Sequence, residues 1–592
     1  MATDAQHTLN SNPQPYLTSH LHLSLVLEKG ESLFGHDNLT IHAADRIIRG
    51  EEETIVIAGH PYFVGLNKPT DQQLYDQITS ENFSPEALQG SFVVARLNNS
   101  LGTLTLYTDK FATVPAFWHQ KPHSRECHIS SLLSDINQDG ELSNQSLYDY
   151  VYFHMIPAPN TAYSQYQKLS AATQLTITSQ LEGTTDTYWV PHFNLKQSTS
   201  AAALSKELRL AMKNAVERCI APNCAAFLSG GLDSSTVAGM LSEIDPSQSE
   251  AYSIGFSAEG YDEMAYARIT AKKFGINLHE YYVTPEDIVS ALHKVIPSFD
   301  EPFGNSSALP AYFCSKVAKE NNVATMLAGD GGDELFAGNE RYAKQAVFEF
   351  YHSVPKILRS GIIEPLLEQR EFSNRFLAKA KSYIKQAKLG LPARLQTYNF
   401  LERDDVNGVF TADFLEKVDL EQPMSLQQSL YNRPINASML NRMMYLDWQI
   451  TLADNDLVKV NNACRINEVN VRYPMLDDEL VYLSLKIEDQ LKLKGSQLRH
   501  FYKETFKNWL PDETIHKSKH GFGLPFGVWM ETYSPLSELA YDSLSELKKR
   551  NIIQPAYIDK LIKDHKEGHA AYYGEMIWVL MSLEIWLKAR HG

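Results

Sequence analysis

Nothing in the chain is apolar for the roughly 20 residues that a helix needs to cross a bilayer, so a membrane partner is not expected. Cations are in deficit. Lysine and arginine number 54 against 71 aspartates and glutamates, a formal net charge of −17. A protein whose main task is to hold nucleic acid needs clustered lysine and arginine, so nucleic acid is not an expected partner, although a local basic pocket for a nucleotide is compatible with this balance. Cysteine is sparse and odd in number, at 127, 219, 224, 314 and 464. That pattern fits reduced thiols in the cytoplasm rather than a disulfide frame. Cys219 and Cys224 are the only close pair, with no second pair or histidine cluster at zinc spacing. The start, Met1 to Pro15, lacks a basic region followed by an apolar one, so it does not read as a signal peptide.

What is present is an ordinary globular composition, 43% apolar and 21% charged, over 592 residues. That length exceeds what one hydrophobic core usually serves, and two or more domains are expected. Residues 1–20, rich in Ser, Asn, Gln and Pro, read as a disordered leader. From Leu21 to about Ile177 short alternating or apolar runs follow one another: Leu23–Leu27, Thr54–Ala58, Ser91–Ala95 and Thr103–Tyr107. Turn signals such as Asn98-Asn-Ser100 and Gln138-Asp-Gly140 separate them, which predicts a β-rich domain. Asn194–Ser200 is polar and reads as a linker, which places the domains at 21–195 and 200–592.

The pattern then changes to strands alternating with helices. Leu204, Leu208, Ala211 and Ala215 form a helical stripe ahead of an apolar strand, Ala225–Leu228. Further strands are expected at Ala251–Phe256 and Ala324–Ala328, the latter after a helical run from Pro310 to Lys319. This alternation predicts a doubly wound parallel sheet, in which ligands bind at the carboxyl ends of strands. Residues 340–592 read as mainly helical, closing on Met576–Trp586, an apolar segment expected to be a packed core helix.

Two loops at such strand ends carry chemistry. Ser229-Gly-Gly-Leu-Asp-Ser-Ser235 follows the first strand and opens a helix. Gly230 and Gly231 let the backbone approach a phosphate, the helix start offers N–H groups, and Ser229, Ser234 and Ser235 add hydroxyls. Asp233 is suited to hold Mg2+. Gly329-Asp-Gly-Gly-Asp-Glu-Leu-Phe336 follows the third strand in the same way, with Gly329 and Gly331 beside Asp330, Asp333 and Glu334, a good magnesium–phosphate arrangement.

With these loops in view the sequence resembles the asparagine synthetase family, whose synthetase domain is an ATP pyrophosphatase fold with an SGG-x-DSS loop. Further matching blocks are Tyr261–Arg268, Asp300–Phe303 through Ser306–Pro310, Asp456–Val460, Val471–Asp477, Lys519–Pro525 and the closing Trp578–Trp586 segment. The resemblance runs from about residue 85 to the C-terminus. It implies an α+β and α/β two-domain chain: an Ntn-hydrolase-like β-rich sandwich, then an ATP-pyrophosphatase doubly wound sheet with a helical C-terminal part. It also implies roles. Ser229–Ser235, with Gly329 and Gly331, would bind the pyrophosphate part of ATP, and Leu228 and Ile254 would pack on the adenosine. Asp233 and Asp333 would bridge Mg2+ to the phosphates. Lys519 would stabilise phosphate charge during adenylation. Asp330, where many members carry Glu, and the neighbouring Glu334 would be the acids at the reacting carboxylate, Asp330 organising it or taking a proton from the amine.

The chain departs from the family in two places. Glutamine-dependent members use an N-terminal cysteine exposed by loss of the initiator Met. Here the chain reads Met1-Ala2-Thr3-Asp4, and the early glutamine-binding blocks are missing. Yet scaffold segments persist at Leu88–Phe92, Asp109–Phe111, Pro115–Trp118 and Ser130–Leu133. The expectation is a retained amidotransferase-like fold without its glutaminase, as in β-lactam synthetases and lasso-peptide cyclases, which join an activated carboxylate to an amine of the same substrate. Second, Asn461-Asn-Ala-Cys-Arg-Ile466 stands where the family reads Asp-Arg-Ala-Ser-Met-Ala, and Asn470 replaces a usual Glu, which weighs against free aspartate as the substrate.

The expected activity is therefore ATP-dependent amide formation through an acyl-adenylate, releasing AMP and pyrophosphate. The partners are a small-molecule or peptide carboxylate and an amine that is either external or internal. The alternatives are an asparagine synthetase fed with ammonia or by a partner glutaminase, and a non-catalytic scaffold; a tRNA-modifying enzyme is disfavoured by the acidic balance. Retention of Asp233, Asp333 and Lys519 argues against the scaffold, because folding does not need them. The N-terminal domain leaves two roles open, a homodimer face or a wall of the synthetase pocket. His500, His516 and His520 lie near the Lys519 loop and read as packed or solvated side chains, with His520 a candidate for the pocket wall.

Overall fold

A computed structural model describes residues 19–26, 38–120, 126–137, 140–193, 199–258, 260–352, 355, 358–359, 381, 383–517 and 523–592. The expected leader lies almost wholly outside the described residues, as do most of the linker Asn194–Ser200 and Lys519 itself. The chain divides into two compact units, one built from residues up to 140 together with 165–188, the other from 141–164 together with 189–592.

The first unit is a sandwich of two antiparallel sheets. Its strands are β1 (His22–Val26), β2 (Leu39–Ala43), β3 (Arg46–Arg49), β4 (Glu53–Tyr62), β5 (Gln89–Asn98), β6 (Thr103–Thr108), β7 (Phe117–Gln120), β8 (Glu126–Ser130), β9 (Gln167–Lys168), β10 (Thr173–Ile177) and β11 (Gly183–Thr187). One sheet runs β2-β1-β8-β7-β9, the other β11-β10-β6-β5-β4-β3. Alternation decides the faces, as in Leu104 and Leu106 of β6. These pack with Leu23 and Leu25 of β1 and Val93 and Ala95 of β5 in the core that both sheets share. Ile55, Ile57, Phe92 and Val94 point the other way and pack on Leu74 and Ile78 of the helix Asp71–Ile78. Thr70 starts that helix with a capping box to Gln73. Burying each such aliphatic side chain contributes roughly 1.5–3 kcal/mol, which is why the alternation dictates the layers.

The second unit is organised by a five-stranded parallel sheet of β12 (Cys224–Phe227), β13 (Glu250–Phe256), β14 (Asn277–Val283), β15 (Thr325–Leu327) and β16 (Asn470–Arg472), in the order β14-β13-β12-β15-β16. The helices Leu232–Ile244, Met264–Phe274, Pro285–Val295 and Ala308–Glu320 fall between the first four strands. β12 and β15 carry small or apolar residues that are nearly all buried, as expected of central strands covered on both faces. Those two and β13 match the strands expected from sequence. β14 and β16 were not legible there: β14 is an edge strand carrying His279 and Glu280, and β16 spans three residues within a helical region.

From β12 the chain winds outward through β13 to β14, then returns to lay β15 on the other flank of β12. The direction of winding therefore switches between β12 and β15. A switch of this kind places a ligand crevice at the carboxyl ends of these two strands. The closing helix Ala570–His591 is buried along Met576–Leu587, as the sequence predicted, and Trp586 Nε1 donates to Phe299 O at 3.0 Å. Among the described residues no helix is long and apolar enough to cross a membrane.

Candidate active site

A cavity of about 740 Å3 opens at the switch point, a size typical of ligand sites. One wall is the turn after β12. Gly230 takes φ +72°, and a Cβ there would fall 2.6 Å from Tyr266 Cβ, so the turn requires glycine. Ser229 Oγ and Ser234 Oγ lie 3.0 Å apart, and Ser229 N–H donates to Ser234 Oγ at 3.1 Å. The helix Leu232–Ile244 starts at Gly231 without a side-chain cap, and its first turn, at the positive end of the helix dipole, is suited to an anion. Ser235 points elsewhere. It is buried with its Oγ 3.0 Å from Thr270 Oγ1, so it holds two helices together rather than lining the cavity.

Leu228 and Ile254 line the cavity together with Tyr252 and Ser253. The second loop rises from β15 on the opposite side. A Cβ on Gly329 would lie 2.7 Å from Ser234 N, so this glycine lets the two loops touch. Gly331 has φ +102° and abuts Leu476. Asp330, Asp333 and Glu334 all line the cavity. The sequence motifs, some hundred residues apart, are thus brought to one place.

The acids are not equivalent. Asp233 and Asp333 share one cation: Arg499 Nη1 donates to Asp233 Oδ2 at 2.6 Å and to Asp333 Oδ1 at 3.1 Å, while its Nη2 reaches Asp233 Oδ1. Burial alone would lower the pKa of the Arg499 guanidinium, but the Asp233 and Asp333 carboxylates outweigh it and raise it. Asp330 lies 3.9 Å from Lys459 Nζ, which in turn donates to Asp456 at 2.7 Å. Burial pushes Asp330 up to about 6, with Lys459 opposing the rise and Asp456 adding to it. Burial, with Asp333, Asp456 and Asp447 around it, pushes the Glu334 carboxyl well above its ordinary value and favours its protonated form. The Glu334 carbonyl accepts from Trp448 Nε1 at 2.9 Å.

Asp456 and Lys459 owe their position to a π-helical stretch, Trp448–Asp456, set between the α-helices Met439–Asp447 and Leu457–Arg465. Such widened turns recur at functional sites because they re-aim side chains. Two further cations line the cavity, Lys503 and Lys517, the latter 2.8 Å from Glu263, as do His500 and His516. Lys519 and His520 lie outside the described residues. Arg465, singled out in the sequence, does not reach the cavity: its Nη2 donates to Ser298 O at 2.7 Å, and Asn462 bonds Ser298 Oγ.

Sequence reasoning did not single out Arg499, Lys459 or Asp456. The last two sit in the Asp456–Val460 block, which resembled the family without announcing a role. Arg499 gave no signal, being one cation in the run Leu498-Arg-His500.

The asparagine synthase family model matches residues 207–588, more than half of the chain and the whole stretch that carries this cavity. The chain belongs to the asparagine synthase family. It is 27% identical over 467 residues to asparagine synthetase [glutamine-hydrolyzing] 1 of Bacillus subtilis, covering 76% of this chain and 69% of that protein. It is 22% identical over 519 residues to a putative asparagine synthetase [glutamine-hydrolyzing] of Mycobacterium tuberculosis, covering 85% and 76%. The amidase chry2 of Gibberella zeae is 23% identical over 399 residues, covering 57% and 53%. As a member of this family the chain is an ATP-dependent, asparagine-synthetase-like ligase that forms amide bonds.

Proposed function

We propose that the chain joins a carboxylate to an amine through an acyl-adenylate, releasing AMP and pyrophosphate, with an amine that is not cut from glutamine by this chain. The observation that carries the reading is the layout of the cavity. Phosphate donors of the Ser229–Ser234 turn, with Asp233 and Asp333, stand at one station, and the Asp330–Lys459–Asp456 cluster stands at another.

A carboxylate alone is a poor acyl donor because its leaving group would be oxide. Attack of the carboxylate oxygen on the α-phosphorus expels pyrophosphate, whose charge the helix start and the cavity cations hold. Lys519 joins them in this reading. The amine then attacks the carbonyl and AMP leaves. Asp330 accepts the amine proton, a task for which a pKa of about 6 suits it, since it is ionised at neutral pH yet more basic than an exposed carboxylate. Glu334, whose burial favours the protonated form, stands in the same cavity as a hydrogen-bonding group for the reacting carboxylate.

Magnesium fits this site in one specific way. Asp233 and Asp333 already share one cationic group, so their carboxylates lie within reach of a shared ion. Among the described residues no three His, Cys, Asp or Glu side chains group to hold a metal by themselves. A Mg2+ would therefore take Asp233 and Asp333 from the protein and its other ligands from phosphate and water, its usual pattern. When bound it offsets phosphate charge as the α–β bond breaks.

The thiols support an amine from elsewhere. All five cysteines are described; four are buried and Cys219 is largely so, and burial pushes every one upward, Cys127 and Cys219 to about 12 and Cys224 to about 11. None is a thiolate at neutral pH, the state a glutaminase nucleophile needs. The antiparallel sandwich then reads as an Ntn-type amidotransferase fold without its nucleophile. An internal amine makes the enzyme a cyclase; the relatives are named as glutamine-hydrolysing asparagine synthetases, and the matching reaction without a glutaminase in this chain takes ammonia. Pyrophosphate release from Mg·ATP with a panel of carboxylates, each with and without ammonium, tests the reading. Release that no carboxylate stimulates would refute it.

A further inference from the structure

Arg499 is held more tightly than a pocket-lining arginine needs to be. Its side chain is 5% exposed and stacks with its guanidinium carbon 4.7 Å from the centre of the Tyr502 ring. Both terminal nitrogens are spent on Asp233 and Asp333, and Nε is buried without a hydrogen-bond partner. The backbone is shaped around this triad. A Cβ on Gly332 would fall 2.0 Å from Asp233 Oδ1 and 2.7 Å from Arg499 Nη2, and one on Gly338 would fall 1.7 Å from Asp333 Oδ1 and 2.8 Å from Arg499 Cδ. Arg499 itself adopts φ +56°, uncommon for a residue other than glycine, and follows a tight turn closed by Lys494 and Gln497.

We propose that Arg499 is an exchangeable counter-ion of the metal-binding acid pair, leaving Asp233 and Asp333 for the nucleotide phosphates when a divalent cation takes its place. The proposal rests on the reading above that these two aspartates are the metal acids. Charge carries the argument. Two buried carboxylates side by side repel unless a cation lies between them, and Arg499 supplies that cation from within the chain. A divalent ion competes for the same oxygens. Retaining both cations against two aspartates would leave a surplus positive charge in a buried site. Phosphate oxygens remove that surplus, and a guanidinium suits them at least as well as carboxylates. Metal and nucleotide thus assist one another: each binds better once the other has given the guanidinium somewhere to go. Divalent metal alone binds poorly, which keeps the acids from filling with an ion that has no ATP to activate.

The test is Mn2+ binding without nucleotide, read by the electron paramagnetic resonance signal of free Mn2+. Arg499→Met, which keeps the side-chain length and removes the charge, is expected to bind Mn2+ at least tenfold tighter than wild type, and Asp333→Asn in that background to abolish the gain. Arg499→Lys, which keeps a cation, is expected to stay close to wild type. Equal affinity in wild type and Arg499→Met overturns the proposal. So does nucleotide-free Mn2+ binding by wild type that Asp333→Asn removes, a result that needs no Arg499 variant to fold. Gain of the Mn2+ site in a protein that releases no pyrophosphate with any carboxylate would refute the acyl-adenylate reading and leave this one standing. Pyrophosphate release with no such gain would do the reverse.

Discussion

Replacing Asp330 by asparagine separates chemistry from stability at one atom. The carboxyl of Asp330 titrates at about 6 instead of its ordinary 3.8, chiefly because the fold buries it. That rise corresponds to at most about 3 kcal/mol. The side chain keeps 22% of its exposure, so solvent screening reduces the figure to about 1–2 kcal/mol. A raised carboxyl pKa means that ionised Asp330 opposes folding. The cost is fully present above about pH 6, shrinks as pH falls from there, and is gone below the unfolded value. Neutral asparagine never incurs it. Asp330→Asn should therefore melt higher than wild type near neutral pH, by about 1–2 °C for a unit of this size, with the gain vanishing toward about pH 4. Lys459 retains Asp456 at 2.7 Å and is not left unpaired. The same variant should release pyrophosphate yet form amide more slowly by about 10²–10⁴, the usual worth of a positioned base. Scanning calorimetry at the two pH values and separate pyrophosphate and amide assays check both halves. A variant that melts lower than wild type at neutral pH, or that makes amide at the wild-type rate, would refute the reasoning.

Other outcomes follow from the same geometry. Asp333→Ala and Lys519→Ala should fold, with wild-type circular dichroism, and lose pyrophosphate release by about 10²–10³ each, since both remove stabilisation of phosphate charge; wild-type turnover in both would overturn the site assignment. Glutamine should not serve as nitrogen donor, because burial pushes the pKa of all five thiols upward. Steady glutamate release by the pure protein would contradict this.

The parts of this account that were legible in the sequence are those where one local pattern has one physical meaning. The runs at Ala225–Leu228 and Ala324–Ala328 are apolar because the central strands are covered on both faces, and they were read correctly within a residue or two. The glycine-rich loops after them were legible because a backbone that must bend sharply and approach a neighbour closely needs glycine, as at Gly230 and Gly329. The edge strand Asn277–Val283 was hidden because one side of it meets solvent and tolerates polar residues. Arg499 was hidden for a different reason. Its partners Asp233 and Asp333 lie 266 and 166 residues away along the chain, and only the switch in winding between β12 and β15 makes them neighbours. Ser235 shows the converse. It belongs to the motif by spacing, but one helical position turns its hydroxyl from the cavity onto Thr270. The upward pKa shift of Glu334 comes from burial among three other acids, a property of packing that no run of sequence expresses.

The central claim is that this cavity adenylates a carboxylate before an amine attacks it. Isotope exchange of labelled pyrophosphate into ATP tests it most directly, run over a panel of carboxylates in the absence of any amine. The account predicts exchange that depends on one class of carboxylate, disappears in Asp333→Ala and persists in Asp330→Asn. Formation of ADP and phosphate in place of exchange, with the matching amide still made, would contradict it.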